Sequence, residues 1–102
     1  MILVYFTCKD DKEARTISQQ LVESRLVACA VRLPANSIYR WEGKVLDESE
    51  VVVLCKTKDE NRQAVMDEIK SMHSYEVPCI ISLKADFADS DYEKWVNSET
   101  KD

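Results

Sequence analysis

His73 is the chain's only histidine, and imidazole is the side chain that most readily holds copper or zinc near neutral pH. Met72 beside it adds a thioether, a soft donor suited to reduced copper. His73 also follows a helical stretch, where a cation meets the last backbone carbonyls and the negative end of the helix dipole. That second role is the commoner one. Cys8, Cys29, Cys55 and Cys79 are too far apart for a CxxC pair or a zinc-type spacing. Each borders an apolar segment, and in a reducing cytosol such thiols behave as small buried hydrophobes. Lys56 ends the apolar run Val51 to Cys55 and shares a strand face with Val52 and Leu54. A half-buried lysine of this kind binds an anion or acts as a base, and more often pairs with a carboxylate, here Glu42. Spacing places no group that would activate Cys29 or Lys56, so the chain is not read as an enzyme.

Positioning these residues falls to a short series of elements. Ile2 to Phe6 is a continuous apolar run, too short for a helix, and reads as a strand buried on both faces. Asp10 and Glu13 form a capping-box pattern before a helical stripe of Ala14, Ile17 and Leu21 that ends near Arg25. A second strand runs from Val27 to Leu33, bends or bulges at Pro34-Ala35-Asn36, and resumes over Ile38 to Trp41. Glu42-Gly43 then places the only glycine where a tight hairpin needs positive φ, and Lys44-Val45 starts the return strand through Val51 to Cys55. Thr57 and Glu60 suggest another capping box, and Val65, Ile69 and Met72 mark a second helix ending before His73. Val77 to Leu83 makes a fourth strand, and a third helix begins with Ser90 and Glu93 and carries Tyr92, Trp95 and Val96. The order βαββαβα gives an α+β fold of the ferredoxin-like (split βαβ) kind, with a long central hairpin and an extra C-terminal helix. Residues 1–102 form a single domain without a linker.

Charge narrows the partners. Nineteen acidic against fourteen basic side chains give a net charge of −5, and the lysines and arginines form no basic stripe. Nucleic acid and anionic membrane are therefore not expected partners. No apolar run approaches the ~20 residues needed to span a bilayer, and the first residues lack a charged leader, so the expected location is the cytoplasm.

Each hairpin arm, counted over residues 28–41 and 44–57, would extend roughly 45 Å if straight. A domain of this size is only about 35 Å across. The tip therefore overhangs, leaving Ile38, Tyr39 and Trp41 in need of cover, while strands apolar on both sides need a second layer. One short helix cannot supply both, which points to another copy of the chain.

Several segments in fixed order carry a family resemblance. They are Leu26 to Ala30, Ser37-Ile38-Tyr39-Arg40-Trp41-Glu42-Gly43-Lys44-Val45, Lys56-Thr57, His73-Ser74-Tyr75-Glu76-Val77-Pro78, and Asp91-Tyr92 followed by Trp95-Val96. Together they resemble the CutA-type divalent-cation tolerance family over essentially the whole chain. The resemblance implies a ferredoxin-like subunit in a tight homotrimer, linked to tolerance of copper and other divalent cations. It also implies a copper site whose three positions fall at Phe6, Met72 and His73, of which His73 alone keeps the family's residue. Further departures are Ala35 after Pro34, Ser74 between His73 and Tyr75, and Cys79 where glutamate is usual.

In such a trimer Cys29, Trp41, Glu42, Lys56 and Tyr75 would line a cleft between subunits that takes a metal ion or small anion. Copper or zinc is the cofactor left open. The leading functional reading is a non-enzymatic homotrimer for cation tolerance that binds divalent metal weakly. The alternative is a regulatory trimer that senses a small ligand in the intersubunit cleft.

Overall fold

A computed structural model describes residues 1–101, in the order β1 (Ile2–Cys8), α1 (Asp11–Glu23), β2 (Cys29–Trp41), β3 (Lys44–Thr57), a 3-10 turn (Asp59–Asn61), α2 (Arg62–Met72), β4 (Ile80–Lys84) and α3 (Ser90–Glu99). The strands form one antiparallel sheet ordered β2-β3-β1-β4. This is the split βαβ, ferredoxin-like arrangement with a third helix added, the α+β class that the element order implies. Among the described residues no helix is long and apolar enough to cross a membrane.

Alternation along the strands decides what each face does. Ile2, Val4, Phe6 and Cys8 of β1 point to the helices and join Val51, Val53 and Cys55 of β3 in a core closed by Ala14, Ile17, Leu21, Val65 and Ile69. The opposite face carries the cross-strand row Val31, Leu54, Tyr5 and Ile81, flanked by Leu33 with Val52 and by Leu3 with Leu83. These side chains stay half-buried or exposed, Leu33 and Ile81 at 47% each. Near this face α3 buries Val96 and brings the Tyr92 hydroxyl within 3.5 Å of Cys29 Sγ, and it leaves the rows uncovered.

The hairpin departs from the sequence reading at Pro34. Pairing runs unbroken from Cys29 opposite Lys56, through Pro34 opposite Val51, to Trp41 opposite Lys44. No bulge forms, because β2 is an edge strand and tolerates a residue that lacks an N–H donor. At the tip both Glu42 (φ 49°) and Gly43 (φ 79°) are left-handed, as a two-residue type I′ turn requires. The molecule measures 45 Å along its longest axis against 25 and 21 Å across.

Helix ends agree with the sequence reading at α1 and differ elsewhere. Asp10 Oδ1 accepts the Glu13 N–H at 2.9 Å, completing the first cap. At α2 the Thr57 hydroxyl is used otherwise: fully buried, it donates to the Leu26 carbonyl at 2.6 Å, and a 3-10 turn leads into the helix instead. α3 is capped by Asp89, one residue before the expected Ser90, whose carboxylate accepts from the Asp91 and Tyr92 N–H groups. α1 ends with a Schellman pair, Arg25 N–H to Val22 and Leu26 N–H to Leu21, although Arg25 (φ 62°) stands where glycine is usual. The Arg25 guanidinium offsets that strain by donating to the Ser98 and Glu99 carbonyls at 2.7 and 3.2 Å, which docks α3.

Candidate functional site

β1 ends where α1 begins, and the segment after α2 returns to the same corner. Cys8, Glu13 and His73 meet there, with one potential ligand atom from each lying within 4.8 Å of the others. A thiol, a carboxylate and an imidazole are donor types that hold zinc or copper. All three are already engaged or protonated. His73 Nε2 lies 2.7 Å from the Thr7 carbonyl, which can only accept, so Nε2 carries the hydrogen. Nδ1 accepts the Tyr75 N–H at 3.0 Å. The network fixes the neutral Nε2–H tautomer with both nitrogens in use.

Glu13 is committed as well. Its two oxygens accept the Lys9 N–H at 3.1 Å and the Ser74 N–H at 2.9 Å. Burial opposes the charged carboxylate, but hydrogen bonds from Ser74 and from Lys9 outweigh it and hold the pKa below the ordinary glutamate value. Burial, followed by the charges of Glu13, Asp10 and Glu50, pushes the Cys8 thiol up to about 12. The donor types thus fit copper or zinc, while an ion would have to displace hydrogen bonds and a proton to engage them.

Of the residues that sequence points to, His73 is in this cluster and bonds β1 rather than the last carbonyls of α2. Met72 packs against the core as an apolar side chain. Phe6, at the first-strand position the family resemblance implies, is fully buried and offers no donor. Cys8 and Glu13 were missed, Cys8 as one more buried thiol and Glu13 as a capping residue. Strand alternation carried the signal, since Cys8 shares the face of Phe6 one pleat further on.

The five cleft residues separate into three places. Trp41 and Tyr75 line one groove of about 590 Å³ on the open sheet face, together with Tyr5, Tyr39, Glu50 and Cys79. Cys29 and Lys56 are register partners at the far end of the sheet. Glu42 occupies the hairpin turn, at the opposite end of β3 from Lys56, so the expected ion pair between them does not form within one chain. In the groove Tyr39 Oη donates to Glu48 at 2.5 Å and Tyr75 Oη to Glu50 at 3.4 Å. The Glu48 hydrogen bond is the main cause that raises the Tyr39 pKa, whereas burial and then the Glu50 charge raise those of Tyr75 and Cys79.

A split βαβ fold with one helix layer, an uncovered apolar sheet face and an overhanging hairpin defines a class of small ferredoxin-like proteins. Within it, residues 2–99 match the CutA1 divalent ion tolerance protein family, and the chain belongs to that family. It is 38% identical over 101 residues to the divalent-cation tolerance protein CutA of Pyrococcus horikoshii, covering 99% of each chain. Crystalline CutA1 from the same organism superposes with a TM-score of 0.97 at 36% identity over the full length of both chains. The PII-like protein CutA from Nostoc sp. PCC 7120 superposes with a TM-score of 0.94 at 28% identity, over 99% of this chain and 98% of that one.

Proposed function

We propose that this chain serves divalent-cation tolerance in the cytoplasm as a homotrimer that catalyses no reaction and binds copper, zinc or another divalent ion weakly. The observations that carry the assembly are the uncovered apolar sheet face and the overhanging tip, whose Ile38 and Val45, on the helix side of the hairpin but beyond the helices, are 73% and 63% exposed. Apolar surface on this scale is buried when subunits associate, and the family resemblance implies threefold closure. Burial pushes the Cys8 and Cys55 thiols up to about 12, which makes these two poor nucleophiles. Weak metal binding follows from the committed state of Cys8, Glu13 and His73, which would hold the ion. Four unpaired cysteines suit a reducing compartment.

Light scattering tests the assembly: three copies of the 11.8 kDa chain give a mass of about 35 kDa, and a monodisperse monomer refutes it. Calorimetric titration with Cu²⁺ and Zn²⁺ tests the metal reading. The expected weak heat disappears in His73→Ala, and heat unchanged by that substitution removes the site.

The groove favours a second reading, a regulatory oligomer that binds a small ligand on the sheet face. Its volume of about 590 Å³ falls in the range of small-molecule sites. The superposed Nostoc protein is a PII-like CutA.

A further inference from the structure

The corner at the end of β1 has the outer support that metal-bound side chains usually have. A ligating imidazole commonly donates its other N–H to a carbonyl, and a ligating carboxylate is itself hydrogen-bonded. Here His73 Nε2 donates to the Thr7 carbonyl at 2.7 Å, which leaves the lone pair of the ring on Nδ1. Glu13 accepts one backbone N–H on each oxygen, from Lys9 and from Ser74, and each oxygen keeps a second lone pair to offer. Cys8 supplies the third donor from the helix side of the sheet, where it is fully buried in the core with Phe6. All three donors come from one chain, and none lies on the open sheet face or at the hairpin tip.

The donor types choose among ions. Hard ions want about six or more oxygen ligands, and Mg²⁺ gives up its water reluctantly. Among the described residues the only converging set of histidine, cysteine and carboxylate donors contains a single carboxylate beside the thiol and the imidazole. Because Cys8 is fully buried, its sulfur meets only an ion that sheds water there. Thiolate sulfur prefers soft or borderline ions, of which Zn²⁺ and Cd²⁺ are closed-shell examples. Glu13 provides the approach, since it lines a cavity of about 360 Å³ together with Asp10 and Met72.

We infer that this corner selects a thiophilic d¹⁰ ion, with Cys8 Sγ as the donor that discriminates against oxygen-seeking ions. The thiol proton passes to solvent as the sulfur–metal bond forms, and the ion replaces the Tyr75 N–H at Nδ1. This deepens the metal reading and rests on it.

The test uses the assembled protein carrying Cys29→Ser and Cys79→Ser, which silences the two thiols that are not buried. Cys55 remains, and it belongs to no converging donor set among the described residues. Cd²⁺ and Mn²⁺ are titrated by calorimetry, and cadmium–thiolate charge-transfer absorption is followed in parallel. Cd²⁺ is expected to bind with that absorption, and Mn²⁺ about a hundredfold more weakly. Outer hydrogen-bond partners alone are worth about 10–100-fold in metal affinity, so Cys8→Ser should abolish the absorption and weaken Cd²⁺ by about a hundredfold or more. Mn²⁺ should be indifferent to that substitution. Cys8→Ala takes its place if light scattering shows that the serine variant does not assemble. Equal affinities for the two ions overturn the proposal, and so does Cd²⁺ binding that survives the loss of Cys8. In either case the metal reading stands if His73→Ala abolishes the binding and falls as well if it does not. Heat from neither ion removes both.

Discussion

Truncating Ile38 to alanine tests the assembly at the point where it is most exposed. Burying an isoleucine side chain fully is worth about 1.5–3 kcal/mol. Ile38 is 73% exposed in the single chain, so about 1–2 kcal/mol of that gain is left for a neighbouring copy to supply. A closed trimer contains the position three times, which makes the expected loss about 3–6 kcal/mol per assembly. At about 1.4 kcal/mol for each factor of ten, the trimer dissociation constant should rise by roughly 10²- to 10⁴-fold. Light scattering across a dilution series, in mild denaturant where the parent does not dissociate, reads the shift directly. Val22→Ala is the control, because Val22 is 42% exposed but lies near the end of α1 that leads into the start of β2, at the opposite end of that strand from the tip. Equal dilution curves for the Ile38 and Val22 variants would mean that the tip is not at the interface, and the argument from overhang would fail.

His73→Phe removes the bridge from Thr7 to Tyr75 and should lower the unfolding free energy by about 1–3 kcal/mol at fixed protein concentration, read by denaturant titration; unchanged stability means that the ring is not the bridge. Burial, chiefly, raises the Cys55 pKa from 9.0 to about 12. The folded chain therefore keeps a proton that the unfolded chain loses, so stability is full below pH 9 and falls above it. The slope is about 1.4 kcal/mol per pH unit for the thiol, and Cys55→Ala should flatten the alkaline limb of a stability profile by that amount. Arg25→Ala loses two hydrogen bonds to the end of α3 and should destabilise its docking by about 1–2 kcal/mol. Faster amide exchange confined to residues 92–101 is the expected signature, and unaltered exchange there would show that Val96 and the Tyr92 contact with Cys29 hold the helix without the guanidinium.

The strands and helices were legible because their signals are local and repeated. The continuous apolar run Ile2 to Phe6, the stripe of Ala14, Ile17 and Leu21, and the Glu42-Gly43 turn each point to one element, and the uncovered sheet face follows from counting the layers they make. What sequence could not show depends on which partner a polar group selects. Thr57 has the spacing of a helix cap, yet its hydroxyl is drawn to the orphan Leu26 carbonyl because both are buried. Pro34 looks like a strand breaker until the strand order places β2 at the edge. The same difficulty hides the cluster at His73. Cys8 and Glu13 carry plain structural explanations, and only the return of the 73–75 segment to the end of β1 gives them a common neighbour.

That segment also joins the two sides of the sheet. His73 reaches the helix side, where Cys8 and Glu13 lie, and its Nδ1 holds the Tyr75 N–H. Tyr75 in turn lines the groove on the open side and hydrogen-bonds Glu50. An ion that takes the Nδ1 lone pair must release the Tyr75 amide, which loosens one wall of the groove. Losing one hydrogen bond costs about 1 kcal/mol, a roughly fivefold weakening of the ion. The check is amide exchange at Tyr75 with and without saturating Zn²⁺, and faster exchange on saturation is expected. If Zn²⁺ binds while exchange at Tyr75 is unchanged, the ion does not take His73 Nδ1, and the contact between His73 and Tyr75 carries no coupling.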